Sequence, residues 1–192
     1  LNIHAFSRRT ALVMAATLAI ASPSWAQSAP RVKLGTSAGD IVVELAPDKA
    51  PKTVENFLQY VKDKHYDGTV FHRVIDGFMI QGGGFTADLQ QKATRAPIPL
   101  EANNGLKNDK YTIAMARTGN PNSATSQFFI NVKDNAMLNA PSPDGYGYTV
   151  FGKVVAGAEV VDKIRAARTG NKNGMQDVPV ETITIQSATV AK

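Results

Sequence analysis

Arg73 places a charge in the middle of an otherwise apolar run, Thr69-Val70-Phe71-His72-Arg73-Val74-Ile75. A cation there is expensive unless it turns out toward a partner. Its guanidinium offers planar, permanently charged donors to an atom that gains electron density during a reaction. A surface arginine held in an ion pair satisfies the same pattern, and on pattern alone both readings stand. Other reactive residue types are scarce. The chain has no cysteine, so no thiol chemistry is available. Beyond the N-terminal region the histidines are His65 and His72, at a spacing with no metal-ligand logic. Gly35-Thr36-Ser37-Ala38-Gly39 matches a nucleophile elbow by letter. That elbow needs a helix after its serine, whereas Asp40-Ile41-Val42-Val43-Glu44-Leu45 alternates like a strand. A hairpin turn accounts for it. Gly82-Gly83-Gly84 lacks the Lys-Ser/Thr of a phosphate loop and reads as tight backbone packing.

The elements that must position Arg73 are mostly strands. Alternating, β-branched runs bounded by turn residues predict strands at Arg31–Thr36, Asp40–Ala46, Thr69–Ile75, Phe78–Gln81, Tyr111–Arg117, Gln127–Val132, Thr149–Val155 and Glu181–Val190. Two segments keep helical spacing instead. Pro51–Val61 aligns Val54, Phe57, Leu58 and Val61, and Gly157–Ala166 aligns Val160, Val161 and Ile164. Thr86–Leu106, Asn135–Tyr148 and Arg168–Pro179 read as surface loops. Mostly consecutive strands with two helices predict a mainly β fold, a closed eight-stranded antiparallel barrel capped by two α-helices. In Gln127–Val132, Phe128, Ile130 and Val132 share one face, while Gln127, Phe129 and Asn131 share the other. The purely apolar face belongs inside, so Phe129 is a large aromatic pointing outward beside polar neighbours, as at a binding surface. A barrel that binds a small ligand within it would need a hollow interior. Phe128, Ile130, Val132, Phe151 and Leu45 predict a filled one.

The N-terminus carries a separate signal. Arg8 and Arg9 precede an uncharged apolar run, Ala11–Ala21, and Ser24-Trp25-Ala26 follows with small residues two apart. As a helix that run spans roughly 16 Å, about half of a ~30 Å hydrocarbon core. A cleaved secretory signal over 1–26 is therefore expected, followed by a single domain over 27–192 and export to the periplasm by the general or the twin-arginine route. The signal holds two of the 21 basic residues and none of the 16 acidic ones, which leaves the mature chain at +3. A charge this small, without a Lys/Arg stripe, gives no footprint for nucleic acid. No later stretch is apolar and long enough to cross a bilayer, so no stable membrane association is expected after cleavage, and a monomer is expected.

Phe71-His72-Arg73-Val74-Ile75-Asp76-Gly77-Phe78-Met79-Ile80-Gln81-Gly82-Gly83, then Ser126-Gln127-Phe128-Phe129-Ile130-Asn131, then Val150-Phe151-Gly152-Lys153-Val154 form an ordered set of motifs. At these residues the chain resembles the cyclophilin family of peptidyl-prolyl isomerases, with the short loops of bacterial periplasmic members, from about Val32 to the C-terminus. The resemblance implies an eight-stranded barrel with its site on the outer face. It implies catalysis of cis/trans rotation at Xaa-Pro bonds of unfolded, proline-containing polypeptides, without metal or cofactor. Carried over by resemblance, Arg73 is the catalytic group, and Phe78, Met79, Phe129 and Leu138 form the proline slot. Gln81 hydrogen-bonds the substrate, Gln127 lines the site, and the backbone of Ala116 and Arg117 holds the extended peptide. The chain departs from the best-known members at three matched positions. Met137 stands where many have tryptophan, Tyr148 where they have histidine, and Arg117 where they have asparagine.

Overall fold

The computed structural model describes residues 29–191; the expected export signal lies outside the described residues. The strands are β1 (Arg31–Thr36), β2 (Gly39–Leu45), β3 (Thr69–Ile75), β4 (Met79–Thr86), β5 (Thr112–Met115), β6 (Phe128–Asn131), β7 (Val150–Ala156), β8 (Thr169–Lys172), β9 (Met175–Pro179) and β10 (Thr184–Ala191). Eight of them close into an antiparallel barrel in the order β1-β10-β3-β4-β6-β5-β7-β2, and the remaining two, β8 and β9, form a separate hairpin. Closure leaves no unpaired edge in the main sheet. The interior is packed rather than hollow: Leu34, Ile41, Leu45, Phe71, Ile80, Ile113, Phe128, Ile130 and Phe151 are each at most 1% exposed. The serine of the elbow-like motif lies in the β1–β2 turn, where the Thr36 hydroxyl donates to the Gly39 carbonyl at 2.6 Å.

Helix α1 (Pro51–Lys62) starts on Pro51, whose fixed φ suits a first turn, and buries Val54, Phe57, Tyr60 and Val61. Tyr60 is buried where helical spacing favoured Leu58, which is only half-buried. The ring of Phe57 meets Tyr66, Phe151 and Phe128 at 5.1, 5.2 and 5.7 Å and seals one end of the barrel. The helix lacks a side-chain cap of its own; the distant Glu101 carboxylate accepts from the N–H groups of Lys52 at 3.2 Å and Thr53 at 2.9 Å. Helix α2 (Ala158–Arg165) buries Val160, Val161 and Ile164, as its spacing predicts. Arg168–Pro179, expected to be a loop, is the β8–β9 hairpin. Its Asn173-Gly174 corner has positive φ at both residues, the conformation of a two-residue hairpin turn. Polar residues in both strands masked the alternation. The hairpin brings Val178 and Met175 onto Val70, Leu89 and Phe85, outside the barrel.

Candidate active site

Strand β3 does not alternate cleanly, and the irregularity aims Arg73. Phe71 pairs with Gly82 and Arg73 with Gln81, so β3 advances two residues while β4 advances one. The extra residue is a bulge, which bends a strand and re-aims its side chains. Phe71 and Val74 both enter the core, while Val70 lies under the β8–β9 hairpin. Simple alternation would put Val74 with Val70 and His72; the bulge sends it inward instead. On β4 the glycines absorb the distortion. Gly83 has φ +84°, and a Cβ there would sit 2.9 Å from the rings of Phe128 and Tyr66. Register then sets one row across four strands, Arg73–Gln81–Phe129–Ala114. With strands about 4.8 Å apart, Arg73 and Phe129 stand about 10 Å apart along this row. Arg73 is exposed, and among the described residues no carboxylate pairs with it. Asp76, the acid nearest in sequence, instead accepts from Arg165 at 2.7 Å.

Beside this guanidinium lies a second apolar cluster on the barrel's outer face. Met79, Ala114, Phe129, Leu138 and Val150 form it, with Phe78 and Tyr148 packed against it. Phe129 faces outward as its alternation predicts, but at 4% exposure it floors a slot instead of standing open. A cavity of about 200 Å³ is lined by Arg73, Phe78, Met79, Gln81, Ala116, Arg117, Phe129, Leu138 and Tyr148. That is below the roughly 300–1,000 Å³ of sites for drug-sized ligands and suits one small ring. Two expected residues lie beside this lining. Gln127 accepts from the Gln81 amide at 3.0 Å and so orients it. Met137, in the short 3-10 helix Ala136–Leu138, is 53% exposed and is not part of the cavity's lining. The Ala116 N–H is taken by the Gln127 carbonyl at 3.0 Å. Among the described residues the Ala116 carbonyl and the Arg117 N–H have no partner, which leaves a ledge of two free backbone groups.

Sequence reading missed the polar layer behind the slot. Asn135 donates to the Phe78 carbonyl at 2.8 Å, and Asn108 donates to the Leu138 carbonyl at 3.1 Å. Asn131, fully buried, links the two by donating to Asn108 at 3.2 Å and accepting from Asn135 at 2.8 Å. Two lining residues of the slot, Phe78 and Leu138, are thereby tied to one network. Surface-loop asparagines and these three read alike in one sequence, and only Asn131 belongs to a motif, Ser126–Asn131.

The family model for cyclophilin type peptidyl-prolyl cis-trans isomerases matches residues 31–190. The chain belongs to the cyclophilin family. It is 64% identical over 161 residues, 83% of this chain and 97% of the relative, to peptidyl-prolyl cis-trans isomerase cyp18 of Streptomyces antibioticus. It is 56% identical over 163 residues, 84% and 99% of the two chains, to peptidyl-prolyl cis-trans isomerase B of Escherichia coli. Among solved structures, a cyclophilin-type isomerase of Cryptosporidium parvum superposes with a TM-score of 0.74 at 29% identity, covering 85% of this chain and 98% of that one. This cyclophilin is therefore an isomerase, and its eight-stranded barrel is the family's fold.

His72 in this cyclophilin is 3% exposed, its Nδ1 has no partner among the described residues, and its ring packs on Phe85 at 4.6 Å. Burial, reinforced by the Arg73 charge, pushes its pKa down to about 4. Unfolded, the imidazole titrates near ~6.5. Between those values the unfolded chain binds more protons, so stability falls as pH drops from ~6.5 toward 4, by at most ~1.4 kcal/mol per pH unit. His72→Gln should flatten that loss, read as urea-unfolding free energies at pH 7 and pH 4.5. Turnover should be flat between about pH 6 and 8 in both proteins, because neutral His72 moves no proton there. An inflection near neutrality that vanishes in His72→Gln would make His72 the proton donor or acceptor.

A larger hollow of about 940 Å³ lies along β2 and β7, lined by Glu44, Lys107 and Lys153 among others. Of its charges, Glu44 accepts from Arg31 outside the lining at 2.8 Å and lies 3.8 Å from Lys153. Unlike the smaller slot, its lining includes neither Arg73 nor Phe129.

Proposed function

We propose that this isomerase acts on Xaa-Pro bonds of exported polypeptides as they fold, with Arg73 as its catalytic residue. The observation that carries this is the unpaired Arg73 guanidinium in one cross-strand row with Gln81 and Phe129, over a slot sized for one ring. A peptide C–N bond resists rotation by ~18–20 kcal/mol because resonance gives it double-bond character. Before proline both isomers are populated and exchange within tens to hundreds of seconds. Twisting the amide localises the nitrogen lone pair, which can then accept a hydrogen bond. Arg73 supplies that bond and a second to the neighbouring carbonyl. Phe78, Met79, Phe129 and Leu138 grip the pyrrolidine ring, Gln81 fixes the peptide plane, and the Ala116–Arg117 ledge holds the chain on one side of the rotating bond. Two charge-assisted bonds gained mainly in the transition state supply several kcal/mol, roughly 10³-fold in rate. A protease-free exchange measurement on an Xaa-Pro peptide tests the reading: catalytic amounts of the protein should multiply the exchange rate, and an unchanged rate would overturn it.

Export rests on Arg8-Arg9, the Ala11–Ala21 run and Ser24-Trp25-Ala26. The exported, monomeric form should begin at Gln27 by intact mass. It should also lack tryptophan emission, since Trp25 is the only tryptophan. A chain that keeps residues 1–26 in the membrane fraction would contradict cleavage.

A further inference from the structure

The geometry points to Arg117 as a positioning residue whose buried side chain latches the 139–148 loop beside the slot. Its side chain is 2% exposed although the residue as a whole is half-exposed, so it is the Arg117 backbone that meets the cavity. Each of the three guanidinium nitrogens donates to nearby chain. Nε and Nη2 donate to the Gly147 carbonyl at 3.0 and 2.9 Å, and Nη1 to the Thr118 carbonyl at 3.0 Å. Nη2 also reaches both carboxylate oxygens of Asp144, at 2.8 and 2.7 Å. The same group lies 4.5 Å from the centroid of the Tyr148 ring, which meets Phe129 edge-on at 5.7 Å. The loop leaves the slot at Leu138 and returns at Tyr148, whose N–H donates to the Leu138 carbonyl at 2.9 Å. One side chain therefore fixes the peptide ledge, the returning loop and the aromatic wall together. The hydrogen bond from Arg117 in turn lowers the pKa of the Asp144 carboxyl below its ordinary range. Of the two arginines lining the cavity, only Arg73 is left to meet a substrate.

This inference rests on the slot reading above and concerns binding rather than the chemical step. On a prolyl peptide, Arg117→Ala should raise KM about tenfold with kcat changed by no more than about threefold, since Arg73 is untouched. Amide exchange in 139–148 should quicken while the barrel strands keep their protection. Asp144→Asn, at an exposed site, should give a smaller rise in KM of about threefold. Adding it to Arg117→Ala should raise KM no further, because the two residues act as one unit. Arg117→Lys should recover part of the binding, as one ammonium cannot reproduce the fork. A wild-type KM in folded Arg117→Ala, or in Asp144→Asn if the alanine variant does not fold, would overturn the latch. Failure of the slot reading would look different: the wild type itself would not accelerate exchange.

Discussion

Arg73→Ala should lower kcat/KM on a prolyl peptide by at least about a hundredfold, the scale for losing a principal donor to a transition state. The loss should fall on kcat, because the slot that binds the ring does not include the guanidinium's hydrogen bonds. Stability should hardly change: Arg73 is exposed, makes no ion pair among the described residues and adds nothing to the core. Arg73→Lys should recover only part of the rate, since a single ammonium cannot serve the nitrogen and the carbonyl at once. Peptide turnover with matched far-ultraviolet spectra checks both variants.

Phe129→Ala should have the second-largest effect, on binding and on stability together. Phe129 is the floor of the slot and the centre of the outer cluster with Met79, Ala114, Leu138 and Val150. Ala114, its cross-strand partner, is too small to fill the space left behind. Removing a phenyl ring from a packed site costs about 3–5 kcal/mol, and this one, near the surface, belongs at the low end. KM should rise by about tenfold or more, because the pyrrolidine ring loses its apolar floor. Urea unfolding and peptide titration read the two effects separately. A KM within twofold of wild type would place the proline elsewhere.

The barrel was legible because its inward residues alternate, and in β6 the alternation of Phe128 and Ile130 against Phe129 also put Phe129 on the outer face that carries the slot. Alternation says which side a residue takes but not whether a loop will cover it. Phe129 and Asn131 are consequently more buried than an outward position implies, under the 106–111 and 135–148 segments. The bulge at His72 was not legible, since an extra residue on β3 exists only relative to the glycines of β4. The β8–β9 hairpin was hidden by its polar strands, although Asn173-Gly174 was a usable turn signal. Arg117 could be assigned to the site by its backbone. That its side chain turns into the loop depends on Asp144 and Gly147, about thirty residues away and silent in pattern.

The central claim is that the site binds proline through the slot and turns it through Arg73. Magnetisation exchange between the cis and trans resonances of an Xaa-Pro peptide, recorded with wild type and with Arg73→Ala at equal bound fractions, separates the two acts. Both proteins should shift the peptide's resonances, and only the wild type should give strong exchange cross-peaks. Cross-peaks of equal intensity from both proteins would contradict the account.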